Sequence, residues 1–410
     1  MPPDNRMGGA SLSGPSRPRR VALVHDWLTG MRGGEKCLEL LCELFPGADI
    51  YTLVHRRGSV SPTIEAHAVR ESWLARVPGG RRYYRALVPL YPRAIESFDL
   101  SGYDLVVSTS HCAAKGVLTR SDTFHLCYCF TPVRYFWDLY PEYFHPGRTG
   151  PLARLGAALV AHRFRMWDRL AADRVDLFVA ISRHVAGRIT KHYRRRARVV
   201  YPPVDTRAFT PGPTAASRGE APFLVVAALV PYKGVDLAIR AANRLGVPRR
   251  IVGVGPDERR LRRMAGPTVR FDGWLPVGAL ADAYRGARAL LQPHEEDFGI
   301  APLEAMACGT PVIALRRGGG EEVVVGGTGL LFEEATVDAL VQAIGSFDPE
   351  AYAPAALRSR ALEFDREAWK ARMSSLIEEA LDAFLRREED PEALRRLEQD
   401  PCSEPENVIY

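Results

Sequence analysis

The sequence predicts an α/β protein of two doubly wound parallel-sheet domains facing each other across a cleft. Three observations carry that expectation. VALVHDW (21–27) reads as a short buried strand; a glycine-bearing loop (29–34) follows, then GEKCLELLCELF, where Leu38, Leu41 and Phe45 recur at helical spacing. RVVYPPVDTRAFTPGP (198–213) holds four prolines and no periodicity, the texture of a linker. Beyond it, strand and helix patterns alternate again, and 410 residues suit two such domains better than one core.

Each element follows from its local pattern. In the first half DLVVSTS, FHLCYCF and VDLFVAIS read as further strands. After the linker, FLVVAALV, RRIVGVG, TVRFDGWL, RALLQPH, TPVIAL and GTGLLF read as strands. VDLAIRAANRLG, ALADAYRGA and IAPLEAMACG read as helices among them. The expected division is a lead-in (1–20), an N-terminal Rossmann-like domain (21–199), a linker (200–213), a C-terminal Rossmann-like domain (214–365), a closing helix (366–387) and a loose acidic tail (388–410). Ligands of open parallel sheets bind beyond the carboxyl ends of the strands, so the cleft is the expected site.

Bulk composition narrows the class. Hydrophobic residues make up 46% and charged residues 25%, as in soluble globular proteins. No run approaches the length of a membrane span; the apolar stretch 155–161 stops at His162. The first 20 residues, rich in Pro, Gly, Ser and Arg, lack the apolar core of a secretory signal and read as disordered. Seven scattered cysteines suggest reduced thiols and a cytoplasmic protein. The net charge of +6 is uneven: residues 148–198 carry thirteen Arg or Lys against three Asp. That stretch suits either a solvated helix face or peripheral contact with an anionic membrane or phosphate-bearing substrate. Nucleic acid is not expected, since charge alone would support it.

The chemistry concentrates in HEEDFGIAPLEAMACG (294–309). Glu296 precedes a helix and Glu304 lies within it. The Phe298-Gly299 turn lets the backbone pass close to a ligand, and the helix opening at Ile300 offers unpaired N–H groups and a positive dipole end, which suit a diphosphate. Glu304 is placed to accept from a ribose diol and Glu296 to lie nearer a transferred sugar.

This stretch resembles the Glu-x-seven-Glu motif of retaining glycosyltransferases with the GT-B fold, family four. Further matching pieces are HDWLTGMRGGEK, CYCFTPVRYFWDLY, LVPYKGVDLAI, VGVGPDERRL and GGGEEVVVGGTGLLF, so the resemblance covers about 21–364. The first half is most similar to a bacterial subgroup associated with mannosyl transfer in surface polysaccharide assembly. The resemblance implies that Lys233 touches the donor diphosphate, Glu304 the ribose and Glu296 the donor sugar. Gly33 and Gly34 would give the first loop access to the phosphates. Gly318 to Gly320, with Glu322 after them, would form a second loop beside the donor, and Val254 to Pro256 would lie near the base. The implied reaction is metal-independent and needs no cofactor beyond a nucleotide-sugar substrate, with GDP-mannose the expected donor and a glycan or lipid-linked acceptor. The sequence has no Asp-x-Asp pair to hold a divalent ion.

Two positions depart from the family pattern. Phe130 stands where a histidine usually lies over the donor sugar, and Ala228 where an arginine usually joins Lys233 on the diphosphate. His111, Lys115 and Arg134 lie near the same strand ends, and His111 is the candidate to serve at the reacting centre. The departures also motivate an alternative: a catalytically impaired, nucleotide-sugar-binding scaffold subunit of a glycan assembly complex. The aromatics from Tyr135 to Tyr143 suit either a sugar-binding pocket or helix packing, with packing the simpler expectation.

Overall fold

The structure, a computed structural model, describes residues 20–143, 151–212 and 218–399. The lead-in before Arg20 and the chain after Gln399 lie outside the described residues, as do 148–150 of the basic stretch. The chain divides into two compact units. Among the described residues the first comprises 20–143, 151–181, 185–200 and 369–399, and the second comprises 182–184, 201–212 and 218–368.

The first unit holds seven strands: β1 (Val21–His25), β2 (Asp49–Thr52), β3 (Val69–Glu71), β4 (Leu105–Ser110), β5 (Phe124–Cys129), β6 (Leu177–Ala180) and β7 (Arg198–Val199). They pair in parallel in the order β3-β2-β1-β4-β5-β6-β7. Every residue of β1, β4 and β5 is buried, as expected of central strands covered on both faces. Helix α1 (Gly33–Leu44) turns Cys37, Leu38, Leu40 and Leu41 inward, and Glu35 accepts the Arg32 N–H at 3.1 Å at its start. Helices α2 (Pro151–Asp173) and α3 (Arg183–Tyr193) precede and follow β6.

The second unit repeats the plan with β8 (Phe223–Val226), β9 (Arg249–Val252), β10 (Val269–Gly273), β11 (Leu290–Gln292), β12 (Val312–Leu315) and β13 (Gly329–Phe332). Their order is β10-β9-β8-β11-β12-β13. Helix α4 (Val235–Leu245) buries Val235, Ala238, Ile239, Ala241 and Ala242, and ends at Gly246, whose φ of 66° needs no Cβ. Helix α5 (Ile300–Ala307) follows β11. In both sheets the strand order reverses direction once, between β1 and β4 and between β8 and β11, and a crevice opens there beyond the strand ends.

The chain's end departs from expectation. Helix α6 (Arg366–Leu385) belongs to the first unit from Trp369 onward. Trp369 is buried against Tyr128, and Phe384 lies 5.2 Å from Phe124. Where a loose tail was expected, α7 (Ala393–Gln399) forms. Glu398 there accepts from Arg195 at 2.6 Å, and the Leu397 carbonyl accepts from Arg198 at 3.2 Å. The six described cysteines are all buried and unbridged. No helix among the described residues is long and apolar enough to cross a membrane.

Candidate functional site

The crevice of the second sheet gathers the predicted donor residues. Lys233 follows β8 and Glu296 follows β11, so the reversal of strand order sets them side by side, and Lys233 Nζ pairs with Glu296 Oε1. His294 Nε2 lies 2.8 Å from the same oxygen. Gly234, with φ 57°, brings its backbone so close to the Pro293 carbonyl that an added Cβ would sit 2.9 Å from it. Gly299 stands at the head of α5 with φ 101°, and no side chain caps the first turn. The helix therefore presents its leading N–H groups, beginning at Ile300, uncapped by a side chain. Glu304 lies within α5, mostly buried, and accepts from the Tyr284 hydroxyl at 2.9 Å.

Glycines hold this crevice by close backbone approach. A Cβ on Gly318 would come within 2.3 Å of the Glu296 carbonyl, and one on Gly319 within 2.2 Å of Phe298 Cα. Gly319 N–H donates to that Glu296 carbonyl at 2.8 Å. The triple-glycine loop thus fixes the backbone that carries Glu296. Phe298 is buried and stacks on Tyr201 at 5.4 Å, which makes it a packing residue. Glu322 accepts the backbone N–H groups of Arg183 and His184 at 2.8 and 2.9 Å. Ala228 is exposed after β8 and offers no cation. Beside the Gly253–Gly255 turn lies an open concavity of about 600 Å³, lined by Gly255, Pro256, Glu258 and three arginines.

Gly33, Gly34 and His111 lie in the other unit, at the crevice of the first sheet. Here the structure reveals a residue the motif reading missed. Asp26, directly after β1, is fully buried and accepts four backbone N–H groups of the loop after β4. His111 and Cys112 donate to Oδ2 at 2.8 and 3.0 Å; Ala113 and Ala114 donate to Oδ1 at 2.6 and 2.7 Å. His111 Nδ1 also lies 3.0 Å from Asp26 Oδ2. Burial alone would raise the Asp26 pKa, but the His111 charge and these hydrogen bonds outweigh it and hold the carboxyl well below its ordinary range. A carboxylate only accepts, so His111 Nδ1 carries a proton toward Asp26, and Nε2 is the ring nitrogen left for another partner. The imidazole stands edge-on to Trp27 at 4.5 Å and is about one-third exposed.

Beside it His25, fully buried, bonds Thr109 Oγ1 through Nδ1 at 2.7 Å, with Glu35 3.9 Å from Nε2. Burial pushes the Glu35 pKa up, and the neighbouring His25 imidazole more than reverses that. Gly33 opens α1. The space before Gly34 is taken by two rings: a Cβ there would sit 3.1 Å from Phe130 and 3.4 Å from His25.

Lys115, weighed above as a substitute cation, is buried instead. Its ammonium pairs with Asp168, which also accepts from Trp137 Nε1 at 2.8 Å and the Tyr193 hydroxyl at 2.9 Å. Burial acts to lower the Lys115 pKa, and Asp168 raises it by more. The aromatic run resolves as packing: Phe136 joins the core cluster, and Tyr135, Trp137 and Tyr140 pack against it. Much of the basic stretch is spent on internal pairs, Arg174 with Glu96, Arg188 with Asp138 and Arg195 with Glu398. Among the described residues, no three His, Cys, Asp or Glu side chains cluster as a metal site would require.

Paired sheets of this strand order define the GT-B class, and solved structures bear out the match. Anabaena HepE in complex with UDP aligns with TM-score 0.62 at 14% identity, over 87% of this chain and 99% of that one. Sucrose-phosphate synthase from Thermosynechococcus elongatus aligns with TM-score 0.65 at 18% identity, over 89% and 100%. At such identities the likeness is one of fold. Residues 209–354 match the family described as glycosyl transferases group 1. A GDP-mannose-dependent alpha-(1-6)-phosphatidylinositol monomannoside mannosyltransferase of Mycolicibacterium smegmatis is 33% identical over 274 residues, 56% of this chain and 72% of the relative. A D-inositol 3-phosphate glycosyltransferase of Acidothermus cellulolyticus is 36% identical over 151 residues, 30% of this chain and only 34% of that relative. The chain belongs to the group 1 glycosyl transferases, and the transferase reading of its motifs holds.

Proposed function

We propose that the protein transfers a mannosyl group from GDP-mannose to a lipid-linked or glycan acceptor, with retention of anomeric configuration and without a divalent metal. The observation that carries this reading is the Lys233–Glu296 pair beside the uncapped head of α5. A pyrophosphate leaving group needs fixed positive charge, and a lysine with a helix N-terminus supplies it. Glu296, held by His294 and the glycine loop, would accept from sugar hydroxyls; Glu304 would accept from the ribose diol. The Mycolicibacterium smegmatis relative, a GDP-mannose-dependent phosphatidylinositol monomannoside mannosyltransferase, supports the choice of donor and of a lipid-borne acceptor.

In the proposed reaction the acceptor hydroxyl oxygen bonds to the anomeric carbon on the face that the diphosphate leaves. The carbon–oxygen bond to phosphate breaks, and the hydroxyl proton passes to the departing phosphate oxygen. In the first unit Asp26 orients the His111 imidazole, a group able to accept from an acceptor hydroxyl, as the Phe130 ring is not. Surface polysaccharide or glycolipid assembly is the process such a product would enter.

The test is release of nucleoside diphosphate from GDP-, UDP- and ADP-sugars, with and without an acceptor lipid extract, and with the product anomer read by NMR. GDP release from GDP-mannose that survives EDTA and drops on the order of 100-fold in Glu296→Ala supports the reading. Tight GDP-mannose binding with no turnover in any extract would replace it with a donor-binding scaffold.

A further inference from the structure

In the second unit Lys233 and Glu296 each neutralise the other's charge. Their side chains are only 15% and 20% exposed, so little water screens the charges there. The carboxylate is also held from several sides. His294 Nε2 lies 2.8 Å from the same Oε1, on a side chain 8% exposed. The Glu296 backbone bridges in parallel to Gly318, and its carbonyl accepts from the Gly319 N–H at 2.8 Å. One residue on, the Asp297 carbonyl accepts from the Ser182 hydroxyl at 2.5 Å. Glu296 is thus a fixed negative charge set against the cation that a diphosphate needs.

Ala228 adds no second cation after β8, so a diphosphate drawn to Lys233 also meets the charge of Glu296. A nucleotide sugar tolerates that meeting. Both its phosphates are esterified, and its sugar brings hydroxyls from which the carboxylate can accept. A nucleoside diphosphate brings no hydroxyl to that place, and its terminal phosphate takes up to roughly one further charge near neutral pH. The extra charge falls on the phosphate that carried the sugar, the side that the proposed reading gives to Glu296. Transfer therefore exchanges hydrogen bonds to Glu296 for repulsion from it.

We infer that Glu296 discriminates between the intact nucleotide sugar and the spent nucleoside diphosphate, holding the first and weakening the hold on the second. This role rests on the proposed donor site and adds to it a means of product release. It differs from sugar binding alone, which would leave the affinity for a sugar-free nucleotide indifferent to the carboxylate charge.

The test is titration calorimetry of the full chain, in EDTA, with GDP-mannose, GDP and the β-methyl ester of GDP. The ester has neither the sugar nor the extra terminal charge. The wild type should bind GDP on the order of tenfold more weakly than the ester. Glu296→Gln keeps the size of the side chain and removes its charge. It should tighten GDP on the order of tenfold, level with the ester, while GDP-mannose gains nothing. Glu295→Gln removes the same charge one residue earlier, from a side chain 52% exposed, and should leave all three affinities as in the wild type. Wild-type binding of GDP as tight as that of the ester overturns the proposal, and that comparison needs no variant to fold. Equal tightening of GDP in Glu295→Gln and Glu296→Gln overturns it too, reducing the effect to net charge. In both cases GDP-mannose binding leaves the donor reading standing. No binding of the three ligands, nor of their uridine and adenosine counterparts, would remove the donor reading and this role with it.

Discussion

The two sheets share one strand order, yet their crevices are built in opposite ways. In the second, Lys233 and Glu296 meet as partly exposed side chains, with a helix terminus beside them. In the first, Asp26 is wholly buried and its charge is spent on the loop that carries His111. One crevice displays its charges; the other uses a hidden charge to aim an imidazole ring. On the proposed reading, the second crevice would serve a diphosphate, which needs exposed cations and N–H donors, and the first a hydroxyl.

The largest effect expected from this contrast falls on stability. Asp26→Asn leaves the four N–H donors facing an amide in place of a carboxylate, and should cost about 3 kcal/mol at neutral pH by denaturant unfolding. The sign of its pH dependence follows from the lowered folded pKa. The contribution is full above about pH 4, where the unfolded carboxyl is ionised, and is lost as the pH falls toward the folded value. The gap between wild type and variant should therefore close in acid. A gap constant from pH 7 to pH 3 would deny Asp26 its buried charge.

A smaller effect would sharpen the second crevice. Ala228→Arg restores a cation near Lys233 and should lower the Kd for GDP-mannose on the order of tenfold. No change in titration calorimetry would mean that the strand end after β8 faces away from the phosphates. Smaller again is Arg249, away from both crevices at the start of β9: its guanidinium is buried with no hydrogen-bond partner, and burial pushes its pKa down to about 9. Arg249→Met should raise stability by about 1–2 kcal/mol without touching donor affinity. Destabilisation would reveal a partner for the guanidinium.

How much was legible beforehand tracks how local each signal is. Glu296, Gly299 and Glu304 lie in one continuous motif, and Lys233 in another, so a linear reading finds them. Asp26 bonds loop residues 85 or more positions away, and nothing near it in the chain announces that. Strand order could have found it, because the residues following β1 and β4 must meet at the reversal. Strands β2, β3 and β7 escaped notice because four, three and two residues show no periodicity; their ladders to longer strands define them. Helix α7 is illegible in the local sequence because its anchors, Arg195 and Arg198, are about 200 residues upstream. Lys115 looked available because sequence shows a cation and hides Asp168, which claims it.

The division of labour between the crevices is the central claim, and one paired titration tests it. GDP-mannose binding and turnover are measured in Lys233→Ala and in His111→Ala. Lys233→Ala is expected to raise Kd by about tenfold or more, while His111→Ala is expected to bind donor like the wild type and to lose turnover on the order of 100-fold. Donor affinity lost in His111→Ala and kept in Lys233→Ala would contradict it.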